Sequence, residues 1–216
     1  MGKTFDQSLI DTANIPMSMI DPEDMADTSS EEFVSMRRVQ QGCHSELTNR
    51  EDFPFNIYTK TIKLSKGMNT YSMVDGKIKN VYCDNNELEF VSNFRGLGTL
   101  TNGTPAYFTT QANPEKIKLF PSPDKSYTLE IEYVTSKNVL LADGTPSPTI
   151  EKGSTARMPE RVQHLYFDAL EYYVLATNMR KESNPRWQPT LEIFNQRWRI
   201  FLKGCKTYDK KARIVW

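Results

Sequence analysis

The chain carries no net charge: 27 lysines and arginines balance 27 aspartates and glutamates over 216 residues. A balanced total gives no chain-wide attraction for nucleic acid or for an anionic membrane surface. Cysteine is scarce as well. Cys43, Cys83 and Cys205 are odd in number, widely spaced and in no CxxC pair. That argues against a disulfide framework or a cysteine zinc site, and for a reducing compartment during synthesis. No apolar run approaches the roughly 20 residues of a membrane-spanning helix, so no membrane partner is expected. The N-terminus shows no basic start leading into an apolar core, so no signal peptide is expected. Asp6 stands where a myristoylation signal needs serine or threonine.

Reactive constellations are missing too. His44 and His164 are the only histidines, and neither has a metal-ligand partner at i+4. Cys43 and His44 are adjacent, and adjacent helical residues point about 100° apart, too far for a nucleophile–base pair. Arg95-Gly96-Leu97-Gly98 resembles a fragment of a phosphate loop without its remaining glycine and lysine, and reads as a flexible loop. Glu130 and Glu132 share the outer face of a strand as solvated residues. With no GxSxG or HExxH motif, no catalytic, cofactor-binding or metal-binding residue is expected, and no enzyme. Arg37-Arg38 and the basic C-terminal stretch are candidates for phosphate attraction. They do not assemble into an element that reads bases.

What is present begins with an uneven charge distribution. Residues 1–32 hold Asp6, Asp11, Asp21, Glu23, Asp24, Asp27, Glu31 and Glu32 against Lys3, whereas the C-terminal stretch holds Lys203, Lys206, Lys210, Lys211 and Arg213 against Asp209. Oppositely charged ends are a pattern of interaction tails. Phe5 to Ala13 reads as a short helix, and Pro16 and Pro22 as breaks. A longer helix starts at Ser29 or Ser30, with Glu31 and Glu32 beside the positive end of its dipole. Phe33, Met36, Val39, Cys43 and Leu47 form its apolar stripe, and Pro54 ends it.

From Asn56 the period changes to two. Tyr58, Ile62 and Leu64 share a strand face, Lys66-Gly67 is a turn, and Asp75-Gly76 is a hairpin signal between Thr70–Val74 and Lys77–Cys83. Asp84-Asn85-Asn86 turns the chain again, and Asn113-Pro114 separates two further strands. Residues 117–134, IKLFPSPDKSYTLEIEYV, read as a punctuated β-hairpin: proline and aspartate set the turn, and Tyr127, Leu129, Ile131 and Tyr133 alternate with polar residues. About six or seven short strands at close spacing favour a small antiparallel sandwich or a partly open barrel.

A polar connector follows, and helix resumes at Pro159. Val162, Leu165, Tyr166, Ala169, Tyr173 and Ala176 mark one face of this helix, while Phe167, Leu170 and Val174 mark another. A helix apolar on most sides must be covered on most sides, which points to a partner subunit. Pro185 or Pro189 opens a last helix, whose stripe is Leu191, Phe194, Trp198, Leu202 and Cys205. The expected organisation is α+β: an N-terminal segment and helix (1–55), an inserted β-domain (56–136), a linker (137–155), a C-terminal helical hairpin (156–206) and a tail (207–216). In that tail Lys210, Lys211, Arg213, Ile214, Val215 and Trp216 are the candidate contacts to a partner, because exposed large apolar groups usually mark contact.

The order of these elements resembles a known family. A capped helix runs into EDFPFNIYTKTIKLSKGMNTYSM, a hairpin-like stretch precedes IKLFPSPDKSYTLEIEYV, and MPERVQHLYFDALEYYVLATNMRKESNP opens a terminal helical hairpin. This is similar to the head-to-tail adaptor (connector) proteins of tailed bacteriophages, including tail-tube-A-like, head-completion members, over roughly residues 28–205. Phe53 stands where many relatives carry tryptophan. The resemblance implies a homo-oligomer, commonly a dodecameric ring, docked under the portal protein and joined to a downstream tail or nozzle protein. Genomic DNA would pass its lumen without sequence-specific binding. The protein would be made in the host bacterial cytoplasm and reside in the neck of the virion. The alternative is a carbohydrate- or peptide-binding module with a helical appendage, using aromatics around Tyr107-Phe108 and Tyr127 to Tyr133 as a ligand platform.

Overall fold

The computed structural model describes residues 2–50, 53–74, 76–95, 97, 102–112 and 115–212, with backbone alone at 54, 112, 115 and 207–212. In chain order the first elements are α1 (Phe5–Ala13), α2 (Pro22–Ala26), α3 (Glu31–Arg50), β1 (Ile57–Leu64), β2 (Thr70–Ser72), β3 (Gly76–Cys83), β4 (Asn86–Glu87), β5 (Glu89–Phe90) and β6 (Asn102–Gly103). They continue with β7 (Tyr107–Ala112), β8 (Glu115–Phe120), β9 (Ser122–Pro123), β10 (Tyr127–Thr135), β11 (Val139–Leu140), β12 (Pro146–Ser147), β13 (Thr155–Ala156), α4 (Glu160–Lys181) and α5 (Trp187–Ala212). The fold is α+β. It divides into two compact units, one of Met1–Asn56 with Lys137–Trp216 and one of Ile57–Ser136.

Local chemistry sets the helix starts in the first unit. Thr4 Oγ1 accepts from the Gln7 amide to cap α1, and Ser30 Oγ accepts from the Phe33 amide at 3.0 Å to cap α3. Pro22 is no simple break. With Asp21 as its cap, it sits in the first turn of α2, where a missing N–H costs nothing. Asn184 Oδ1 accepts from the Arg186 amide at 3.0 Å just before α5. That last helix runs on to Ala212, past the end expected near residue 206.

Phe5 and Leu9 of α1, Phe33 and Leu47 of α3, Tyr166 and Phe167 of α4, and Phe194 and Phe201 of α5 share one core. This arrangement corrects the inference drawn from α4. Its apolar faces do not await a neighbouring copy, because α1, α3 and α5 of the same chain all pack on it. Val162, Tyr166, Phe167, Leu170 and Val174 are buried within one subunit. The short N-terminal helix supplies the cover that the sequence pattern left unassigned.

Residues 137–155, read as a polar connector, also carry regular structure. β11 pairs with β12 and β13 in a small sheet of order β12-β11-β13, and Val139, Ile150 and Ala156 join the helical core. The segment is held by polar contacts as well. The Gly153 amide donates to Asp6 Oδ2 at 2.8 Å, and Thr155 Oγ1 donates to the Lys3 carbonyl at 2.6 Å.

The second unit is a two-sheet sandwich. One sheet has the order β1-β10-β3-β4 and the other β2-β8-β7-β5, with a small β6-β9 pair beside them. Leu64, Val81, Leu129 and Ile131 of the first sheet meet Tyr71, Phe108, Ile117 and Leu119 of the second in a single core. Pairing is antiparallel except for β5–β7 and β6–β9. Two local expectations are corrected. β8 and β10 are not a hairpin, because they belong to opposite sheets. The turn between them carries the chain across the sandwich. β2 and β3 are not a hairpin either: β2 pairs with β8, and β3 with β10. Gly76 answers to another need there. Its φ is +152°, and a Cβ would lie 2.1 Å from the Val134 carbonyl oxygen, so glycine permits close approach of β10. The turn after β3 is a true hairpin, with Asp84 and Asn85 both at positive φ and Cys83 opposite Asn86. The loop fragment Arg95-Gly96-Leu97-Gly98 has Gly96 and Gly98 outside the described residues, as are Asp75, Asn113 and Pro114.

Candidate functional site

The buried ionisable groups of the helical unit are committed to packing. α1 and α4 both lie against α3, so His44 is buried with the Phe5 ring edge-on at 4.9 Å. Its Nδ1 is 2.5 Å from the Tyr166 hydroxyl, and burial pushes its pKa down to about 3. The neighbouring Cys43 turns the other way and donates to Thr177 Oγ1, with burial pushing the thiol up to about 11. A neutral imidazole and a protonated thiol with different partners do not make a nucleophile–base pair. Glu171 is buried beside Lys3, whose ammonium also pairs with Asp11. Desolvation outweighs the lysine and pushes the Glu171 carboxyl up to about 7. Among the described residues no group of three or more His, Cys, Asp or Glu is placed to hold a metal.

The surfaces are more distinctive. A groove of about 730 Å³ runs along α2 and the start of α3 and reaches the end of α4. Asp21, Asp24, Glu31 and Glu32 gather where two helices begin, because the positive ends of the helix dipoles favour them there, while Glu182 comes from the C-terminal end of α4. Some have local partners: Asp21 Oδ1 accepts from the Glu23 amide at 2.9 Å, and Ser30 Oγ ties the α3 start to the Asp24 carbonyl at 2.9 Å. Asp24, Glu31, Glu32 and Glu182 line the groove against Arg38. Two apolar residues in it are harder to account for within one chain: Met19 is 71% exposed and Val34 is 38% exposed.

The second surface is the outward face of α5. Arg199, Lys203 and Lys206 are exposed at i, i+4 and i+7, and so form one row. Ile200 lies 50% exposed beside it. Neighbouring Arg197 is held to Asp168 of α4 at 3.0 Å. The candidate contacts of the C-terminal segment follow this row. Lys210 and Lys211 fall in the last turns of α5, where backbone alone is described, and Arg213, Ile214, Val215 and Trp216 lie outside the described residues.

Of the aromatics named in the binding-module reading, Tyr107 and Tyr133 are half-buried on the sandwich and the other two lie inside it. Phe108 and Tyr127 are buried in its core, and the Tyr127 hydroxyl donates to Asp124 at 2.6 Å, inside the turn. That hydrogen bond holds the Asp124 carboxyl below its ordinary range. Tyr133 is half-buried, tilted against Tyr58 at 6.1 Å. The outermost aromatic ring is instead Phe90, 57% exposed on the two-residue strand β5. Nothing in the local sequence separated it from the buried rings, since strand alternation marks faces without saying which face is covered.

An α+β chain with its polar chemistry spread over an acidic groove and a basic helix face has the features of a protein that works by contact with other macromolecules. The family comparison agrees. The model for the SU10 adaptor protein matches residues 9–201, and the chain belongs to that family of structural phage head–tail adaptors. No curated protein matches the chain. Among the described residues, no helix is long and apolar enough to cross a membrane.

Proposed function

We propose that this chain is the subunit of a head-to-tail adaptor ring, of the tail-tube-A-like, head-completion kind, that docks under the portal and connects the capsid to the tail. The observation that carries the reading is the adaptor-family match over residues 9–201. The ring is a dodecamer, its downstream partner is a tail or nozzle protein, and the genome passes its lumen without sequence-specific readout. The protein is made in the host bacterial cytoplasm and ends in the virion neck.

The surfaces give this reading physical support. A structural adaptor needs complementary contact faces rather than a reactive centre, and the helical unit carries one strongly acidic and one strongly basic face. Lys210, Lys211, Arg213, Ile214, Val215 and Trp216 supply the mixture of charge and large apolar groups that anchors a contact to the portal or a neighbouring subunit. Full-length protein incubated with the portal oligomer of the same phage, then imaged by electron microscopy, is expected to show an additional ring on the tail-facing end of the portal. Failure to bind that portal oligomer overturns the proposal.

A further inference from the structure

The acidic groove and the C-terminal segment are complementary in two respects. The groove presents Asp24, Glu31, Glu32 and Glu182 around exposed Met19 and Val34. The chain ends in Lys210, Lys211 and Arg213 followed by Ile214, Val215 and Trp216. A peptide with cations followed by a large aromatic anchor matches a cleft that combines several carboxylates with exposed apolar side chains.

Geometry then decides whose segment it is. Asn178 and Glu182 line the groove, so it lies at the end of α4 that turns into α5. α5 runs back antiparallel along α4: a Cβ on Gly204 would touch Leu165 and Val162, near the opposite end of α4. With 26 residues, α5 is roughly 39 Å long. Residues 213–216 reach at most ~14 Å beyond Ala212. A subunit cannot bring its own terminus to its own groove while α5 stays helical.

We propose that the groove formed by α2, the start of α3 and the end of α4 receives residues 210–216 of a neighbouring copy. The inference rests on the ring reading above and deepens it. A contact that joins one end of a subunit to a different surface of the next is heterologous, and such contacts close into rings when the rotation between copies closes. The helical unit thus carries both halves of a head-to-tail joint, and the joint does not depend on exposing α4.

A labelled synthetic peptide, DKKARIVW, mixed with the free full-length chain tests the groove without requiring assembly. Saturable binding that weakens as salt rises is expected. Glu31→Lys with Glu32→Lys should weaken it roughly tenfold, as loss and reversal of two exposed charge contacts implies. A peptide with both lysines replaced by glutamate should recover binding to that variant. Absence of saturable binding, or binding that ignores the charge reversal, overturns the inference. Both positions are exposed on the first turn of α3, and unchanged circular dichroism of the variant verifies its fold.

A second measurement assigns the copy. Full-length chains carrying Trp216→benzoylphenylalanine are prepared with natural and heavy nitrogen, mixed, bound to portal and photolysed. Adducts joining differently labelled chains at the peptides holding Met19 and Val34 support the inference. Adducts found only within one label, with no mixed-label species, or adducts on the portal or on other surfaces overturn it. If the chain binds portal while the peptide ignores the groove, the adaptor reading stands and this inference falls. If the peptide binds as expected but no portal complex forms, the adaptor reading falls and the ring argument for this contact falls with it.

Discussion

Truncating Phe5 to alanine asks whether the N-terminal helix is what shelters α4. Phe5 is fully buried, with its ring edge-on to His44 at 4.9 Å and to Phe167 at 5.2 Å. Removing a buried phenylalanine ring costs ~3–5 kcal/mol, the higher end applying where the site cannot collapse. Collapse is resisted here. The α1 backbone stays pinned by the Arg37–Asp6 ion pair, by the Gly153 amide on Asp6, and by Gln40 Nε2 on the Phe5 carbonyl at 3.0 Å. The ring therefore leaves a cavity rather than a relaxed helix. A domain of ordinary stability has only ~5–15 kcal/mol to lose, so the effect should dominate the unfolding curve.

Trp187 and Trp198 fall in the helical unit and residues 57–136 hold no tryptophan, so tryptophan fluorescence during urea unfolding reports on the helical unit. With m of ~1–3 kcal/mol per molar urea, the midpoint should fall by roughly 1–5 M. Ile10→Ala is the control: Ile10 is only partly buried on the same helix and should cost less. A Phe5→Ala loss below ~1 kcal/mol, or one no larger than that of Ile10→Ala, would refute the claim that α1 completes the cover of α4. The case for a neighbouring copy on that face would then reopen.

Other outcomes follow from particular residues. Glu171 has its carboxyl raised from 4.5 to about 7, so the folded state holds a proton that the unfolded state has released between those values. The contribution of Glu171 to stability should be fullest below the ordinary carboxylate range, fall by up to ~3 kcal/mol as pH rises to about 7, and stay level above it. Glu171→Gln should flatten that limb in denaturant titrations, and an unchanged slope would rule it out. Gly76→Ala puts a methyl 2.1 Å from the Val134 carbonyl oxygen at a φ of +152°. It should destabilise the sandwich by more than ~2 kcal/mol, read as faster proteolysis within residues 57–136. Wild-type susceptibility would contradict that packing. Cys43, Cys83 and Cys205 are buried, with thiols pushed up to about 11, 11 and 12. All should resist a disulfide reagent at neutral pH and react promptly in guanidinium, whereas rapid labelling of the native protein would contradict their burial.

Part of the design was written locally. The cap residues Thr4 and Ser30, the apolar stripes of α3 and α5, the alternation in β10 and the αL pair Asp84-Asn85 act over a few residues, and each is readable at that range. The order of those elements also carried the family resemblance. The acidic and basic ends were plain in the composition, and Met19 and Val34 were visible as residues, but not as neighbours across a groove.

Other decisions belong to the tertiary structure. Proline and aspartate after Phe120 set where the chain turns, while the sheet that each flanking strand joins depends on partners far along the chain: Tyr71 lies opposite Ile117, and Ile131 opposite Val81. The same limit explains α4. Its sequence states how much apolar surface must be covered, but hydrophobic burial is non-directional and does not name the covering element. Only the folded chain shows α1, α3 and α5 in that place. What the sequence determined by itself was the inventory of local elements and the charge of the two ends. Which surfaces those elements close and which they leave open was decided by long-range packing, because the same apolar stripe gains as much from its own chain as from another.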